Sequence, residues 1–315
     1  MMGKPMLRDV YQTIRLSLYN FKYRERKSIG FNSNKEHFFI VRRKSEKTGI
    51  CSDMMIYLEK LNYMEKKYPH AVPVVDMENY ANALLPLEEV GTHNAWDDLF
   101  KPFSKSLEEA YGSGNYILSS ATVHPQEKLI TDASLLMNPD EEFWKWSDLF
   151  HKYFAFNAQT KQFFQKLERD KLSGNNRCLG VLCRGTDYTR LRPAGHPIQP
   201  DVEQVIQKCK EVQSKQNYNC IVLATEDEGI AEAFVHAFGE KCVLTRDKFI
   251  SYSGGYVADS IVNRLENSRQ YLGQLYLLSR CQGLISGVTS ASPFVLFMAD
   301  DKPFEYTYFW DLGRY

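Results

Sequence analysis

Arg184 and Asp187 follow directly on the apolar run 178–182, with Gly185 between them. A buried strand that ends on a cation, a glycine turn and an acid presents these groups at its carboxyl edge, where open α/β sheets bind ligands. The guanidinium of Arg184 is permanently charged and donates in a fork that fits a phosphate. It is therefore suited to holding a diphosphate whose charge grows as a bond to it breaks. Asp187 would orient that fork or a neighbouring backbone group. The alternative is an internal Arg184–Asp187 ion pair that only closes the turn.

Two other apolar runs end in chemistry. After Ala224 come Thr225, Glu226 and Asp227 at the start of a helix, where carboxylates suit the positive end of the dipole. Asp227 either caps that helix or accepts from the base or ribose of a nucleotide. After Gly287 and Val288 come Thr289, Ser290, Ala291, Ser292 and Pro293, a small hydroxylated turn with proline at the expected first helical position. Such a turn is an anion site or an ordinary serine cap. In a parallel sheet the loops after Leu182, Ala224 and Gly287 meet at one edge.

The elements around these loops alternate. The patterning predicts strands over 180–183, 220–224, 241–245 and 283–287. It predicts helices over 200–216, 229–238, 259–281 and 293–299. In 200–216 the apolar Val202, Val205, Ile206, Cys209 and Val212 recur at helical spacing. Strand, helix, strand at this spacing implies right-handed crossovers and a parallel sheet covered on both faces. The first half repeats the unit more loosely: a strand over 38–42 ending in a basic cluster, a helix over 54–68, a strand over 71–76. An aromatic-rich part, helical in places, then runs over 96–156. The polar 171–177 stretch marks a boundary between domains 1–172 and 173–315.

Composition narrows the class. The chain has 315 residues, 43% hydrophobic and 25% charged, enough for two domains that each bury a core. Lys plus Arg and Asp plus Glu both number 39, so no global basic field invites nucleic acid. No run approaches the roughly 18 apolar residues of a membrane span, and the first residues lack a signal-peptide core. A cytoplasmic location is expected. The seven cysteines have no metal-ligand spacing, so they are expected to be reduced and no zinc is expected.

The motifs in the second half resemble the fucosyltransferase superfamily of α1,6-, α1,2- and protein O-fucosyltransferases, most nearly the α1,6 and nodulation group. Leu182-Cys183-Arg184-Gly185-Thr186-Asp187 is similar to its first motif, His-x-Arg-Arg-x-Asp. The His196-Pro197-Ile198 turn, Ala224-Thr225-Glu226-Asp227, and Leu278-Ser279 leading to Thr289-Ser290 follow in the family's order. Gly49, Ser52 and Asp53 before a helix resemble the family's opening glycine loop, and Asn94-Ala95-Trp96 resembles a segment of bacterial members.

The resemblance implies an α/β protein of two Rossmann-like domains, GT-B type or a close variant. It implies an inverting glycosyltransferase that uses GDP-fucose as co-substrate and no metal, with the donor on 173–315 and a glycan acceptor, such as a bacterial surface polysaccharide, on 1–172. The last helix of the chain could then pack back on the first domain. By that resemblance Arg184 stabilises the leaving diphosphate, His196, Glu226 and Asp227 face the nucleotide, and Thr289, Ser290 and Ser292 hold phosphate oxygens. Gly49, Ser52, Asp53 and Trp96 fall on the acceptor side. The chain departs from the pattern at Leu182, which replaces the histidine, and at Gly185, which replaces the second arginine. It departs again near Arg192, where relatives carry an acid. Asp187, His196, Glu226, Asp53 and Asp76 all remain candidates for the base. A transferase with another nucleotide sugar, or a silent sugar-nucleotide or glycan-binding protein on the same scaffold, would share these features.

Overall fold

Short, mostly apolar runs become the strands of two separate sheets. The computed structural model describes residues 26–27, 35–43, 48–119, 129, 131–174, 177–250, 261, 263–299 and 304–315. The chain divides into unit 1, Met1–Glu46, Ile56–Trp96 and Pro102–Lys128, and unit 2, Lys47–Met55, Asp97–Lys101 and Leu129–Tyr315.

Unit 1 is built on strands β1 (Arg26–Lys27), β2 (Phe38–Arg42), β3 (Val72–Asp76) and β4 (Tyr116–Ser119), in the order β1-β4-β2-β3. Helix α1 (Ile50–Lys67), which begins in unit 2, connects β2 to β3, and α2 (Leu107–Gly112) precedes β4. The strands β4, β2 and β3 run parallel, and β1 lies antiparallel at the edge. Phe38, Ile40 and Val74 pack with Leu107 and Ala110 of α2 on one face.

Unit 2 opens with α3 (Ala133–Met137), α4 (Glu141–Tyr153) and α5 (Ala158–Leu172). It continues through β5 (Cys178–Leu182), α6 (Thr186–Leu191), α7 (Val202–Gln216), β6 (Cys220–Ala224), α8 (Glu228–Phe238) and β7 (Cys242–Leu244). It closes with α9 (Arg264–Ser279), β8 (Gly283–Gly287), α10 (Ser292–Met298) and β9 (Tyr306–Trp310). All five strands are parallel, in the order β7-β6-β5-β8-β9. The chain thus moves outward from β5 through β6 to β7, then returns to the other side of β5 with β8. That reversal is a topological switch point, and the carboxyl edge there is where such sheets bind ligands.

The alternation of β5 sets its layers. Leu179 and Val181 face Val205, Cys209 and Val212 of α7 and Phe234 of α8. On the other face a Cβ at Gly180 would lie 3.2 Å from Leu278 of α9, so glycine lets that helix come close. Full burial contributes about 1.5–3 kcal/mol for each such aliphatic side chain. The helical spacing read in 200–216 holds: Val205, Cys209 and Val212 are buried, and Val202 and Ile206 pack beside them. The 251–260 stretch, with Gly254-Gly255, lies outside the described residues.

One expectation is corrected. Cys178 and Cys220, register partners at the amino ends of β5 and β6, form a disulfide with Cα atoms 4.9 Å apart. Neighbouring parallel strands bring these side chains into the distance range a disulfide needs, which their separation of 42 residues in sequence did not signal. The other five cysteines are free thiols. No helix among the described residues is long and apolar enough to cross a membrane.

Candidate functional site

Register aligns the three loops. Leu182 pairs with Ala224 on one side and Ser286 on the other, so β5, β6 and β8 end level at one edge. The loop after β5 and the loop after β6 are locked together there. Arg184 Nη1 lies 3.0 Å from Glu226 Oε2, with the two side chains 20% and 7% exposed. Glu226 Oε1 accepts from Gly185 N at 3.1 Å and from Thr186 Oγ1 at 2.9 Å. Asp227 caps α8 by accepting from Ile230 N at 3.1 Å, and its other oxygen accepts from Thr186 N at 3.0 Å. Thr186 is buried and takes a left-handed φ of 50°, which these bonds hold in place.

Gly185 is required by space. A Cβ there would fall 2.6 Å from both Cβ and Oδ2 of Asp227 and 2.8 Å from its Cγ. The position that carries a second arginine in the resembled motif therefore has no room for any side chain while Asp227 occupies its cap. Asp187 sits in the first turn of α6, and its side chain lies outside the described part of the structure.

The third loop closes on itself. Ser292 Oγ donates to Gly287 O at 3.1 Å and accepts from Thr289 N at 3.0 Å, while Thr289 Oγ1 accepts from Ala291 N at 3.2 Å. Thr289 and Ser292 are buried, and Ser290 is half-buried. Gln199 ties this loop to the segment before α7. Its Nε2 donates to Val288 O at 2.9 Å, and a Cβ on Gly287 would lie 2.9 Å from its Cδ.

His196 stands in an exposed turn beside the chain's last residues, Gly195 N donating to Tyr315 O and Tyr315 N to His196 O. Its pKa is lowered, first by partial burial and then by Arg314. In unit 2, Asp53 is buried at the start of α1 and accepts from Thr48 Oγ1 at 2.8 Å; Ser52 N and Asp53 N donate to Gly49 O. The neighbouring Cys51 thiol is pushed up by burial and drawn down by Arg184, which places this segment within the electrostatic reach of that arginine. In unit 1, Trp96 is 1% exposed, and its ring centre lies 5.4 Å from that of Phe103. Among the described residues no group of three or more His, Cys, Asp or Glu is arranged to hold a metal ion.

Arg246 was not found from the sequence. It lies just beyond β7, its buried Nε makes no hydrogen bond among the described residues, and burial lowers its pKa while Glu226 raises it. Its only sequence signal is a basic residue two positions past a short strand, which many surface loops share.

The architecture is the two-unit α/β fold of the GT-B-like fucosyltransferases. A crystal structure of POFUT1 in complex with GDP matches it with a TM-score of 0.50 at 10% identity, covering 87% of this chain and 99% of that one. A structure of NodZ α-1,6-fucosyltransferase soaked with GDP-fucose gives a TM-score of 0.48 at 15% identity over 83% of this chain and 91% of that one. The fucosyltransferase NodZ from Bradyrhizobium gives 0.47 at 16% identity, with 83% and 92% covered. At 10% identity the likeness to POFUT1 is one of fold. No protein-family model and no curated protein matches the sequence.

Proposed function

We propose that this chain is an inverting glycosyltransferase that moves fucose from GDP-fucose to a glycan acceptor, such as a bacterial surface polysaccharide, in the cytoplasm. The single observation that carries the reading is Arg184. It is a half-buried guanidinium at the carboxyl edge of the central strand, beside the switch point and held at 3.0 Å by Glu226. A guanidinium in that place stabilises the negative charge that grows on the departing diphosphate, and its pairing with Glu226 fixes it before the donor arrives. Asp227 is assigned to the ribose or base, Ser290 with Thr289 and Ser292 to phosphate oxygens, and His196 to the nucleotide. Asp187, at the start of α6, joins Arg184 in the catalytic assignment. Residues 173–315 are the donor domain and 1–172 the acceptor side, to which Gly49, Ser52, Asp53 and Trp96 are assigned. No metal enters the proposed step.

A second reading is a silent sugar-nucleotide-binding protein. It is favoured by Gly185, where the resembled motif has a second cation, and by the engagement of Arg184 with an acid of its own chain. Isothermal titration with GDP, against UDP and CDP as controls, tests the first reading. Selective GDP binding without added metal, lost in Arg184→Ala, is expected. Absence of binding to any nucleotide removes the donor-site assignment. Turnover of GDP-fucose with any acceptor excludes the silent reading.

A further inference from the structure

The carboxyl edge of the unit 1 sheet carries a second cationic cluster. Arg42, the last residue of β2, is the register partner of Asp76, the last residue of β3. Its guanidinium lies 4.9 Å over the ring of Tyr80, and its Nη1 makes a long 3.4 Å hydrogen bond to Tyr111 Oη. No carboxylate among the described residues lies within ion-pair range of it. Asp76 is committed elsewhere, accepting from Tyr111 Oη at 2.6 Å on one oxygen and from Glu78 N, Asn79 N and Asn79 Nδ2 on the other.

The surroundings are rigid. Buried Asn82 donates to Met77 O and Tyr80 O and accepts from Leu84 N and Leu85 N, which holds the loop that presents Tyr80. Beneath it the buried Lys60 donates to Arg42 O at 2.7 Å and Ser119 O at 3.1 Å, bracing the ends of β2 and β4. Lys60 is held well below the usual lysine range, first by burial and then by the charges of Arg43 and Arg42, with Glu59 acting the other way. Arg42 is thus a half-buried, ring-braced fork with most of its five donors unmatched among the described residues, at a place where parallel sheets bind ligands. The partner that matches such a fork is a planar or tetrahedral oxyanion.

We propose that Arg42, braced by Tyr80 and Tyr111, is a binding site for a sugar that carries an oxyanion, either a carboxylate or a phosphate. That the ligand is a sugar, and that this sugar is the acceptor, rests on the transferase reading; the oxyanion site at Arg42 does not.

The test is saturation-transfer NMR on the full chain with glucuronate, glucose 6-phosphate and neutral glucose, each measured with and without excess GDP. Saturable binding of at least one anionic sugar, unaffected by GDP and absent for glucose, is expected. Arg42→Gln should weaken it at least tenfold and Arg42→Lys by less, with GDP affinity unchanged in both. Binding of glucuronate alone identifies an acidic sugar, and binding that includes glucose 6-phosphate identifies a phosphate-bearing one. Arg184→Ala should leave the signal intact. Failure of both anions to bind wild-type protein overturns the proposal, as does binding that survives Arg42→Gln or is displaced by GDP. Loss of GDP binding with the anion signal retained would instead remove the donor-site assignment alone.

Discussion

Gly185→Ala tests whether the donor-side loops are a locked unit. Gly185 has a φ of −129°, so its need for glycine comes from crowding and not from a left-handed backbone. The new methyl would sit 2.6 Å from Cβ and Oδ2 of Asp227. Asp227 has little freedom to retreat, because one oxygen caps α8 through Ile230 N and the other holds Thr186 N. Overpacking of this kind costs about 1–3 kcal/mol. Displacing the aspartate adds the loss of its cap, about 1 kcal/mol. The expected destabilisation is therefore about 2–4 kcal/mol, seen as a lower urea midpoint at unchanged m-value. Asp227→Gly removes every atom in the clash, so adding Gly185→Ala in that background should cost less than about 1 kcal/mol. A Gly185→Ala protein within about 0.5 kcal/mol of wild type would refute the reasoning, and so would an equal cost in both backgrounds.

Glu226→Ala strips an acceptor from Arg184, Gly185 N and Thr186 Oγ1, and should lower stability by about 2–3 kcal/mol in thermal unfolding. That is below the roughly 3–5 kcal/mol of a fully buried pair because Arg184 is part-exposed. A cost under about 0.5 kcal/mol would place the pair in the exposed class. Burial raises the thiols of Cys51, Cys183, Cys209 and Cys281, and raises Cys242 to about 11. A folded pKa above the unfolded one means stability that is complete below about pH 9 and lost as pH rises, by about 1.4 kcal/mol per pH unit per thiol. Lys60, held low, works in the opposite direction as a single group. Urea titrations across the alkaline range should therefore fall steeply, and Cys209→Ala should flatten the slope by one thiol's share. An unchanged slope counts against the burial argument. Under denaturing conditions without reductant, thiol titration should count five reactive cysteines, and seven would mean that Cys178 and Cys220 are not joined.

Much of unit 2 was legible because its strands are uninterrupted apolar runs between polar turns. Cys220–Ala224 and Gly283–Gly287 match the reading residue for residue, and the helical spacing of 202–212 identifies the buried face of α7. Strands β1, β4 and β9 were not read. Tyr306–Trp310 is aromatic at four of five positions, so its alternation is hidden, and Tyr116–Ser119 is only four residues long. At the site, sequence order showed which loops meet but not how they bond. Gly185 read as a missing cation, whereas the structure makes it the space Asp227 occupies. The three bonds to Glu226 join residues about forty positions apart, beyond any local pattern.

The approach of Gln199 to Gly287 bears on how relatives of this chain can diverge. A side chain at Gly287 would collide with the Gln199 amide, and that amide also holds Val288 O. The two positions are coupled through one bond: enlarging the first pushes the Gln199 amide away from Val288 O, and shortening the second frees the same carbonyl, which must then find another donor. Homologues should therefore keep the glycine and glutamine together or exchange both in one lineage. Such paired substitution would be a tracer of descent for chains too dissimilar to align by their motifs.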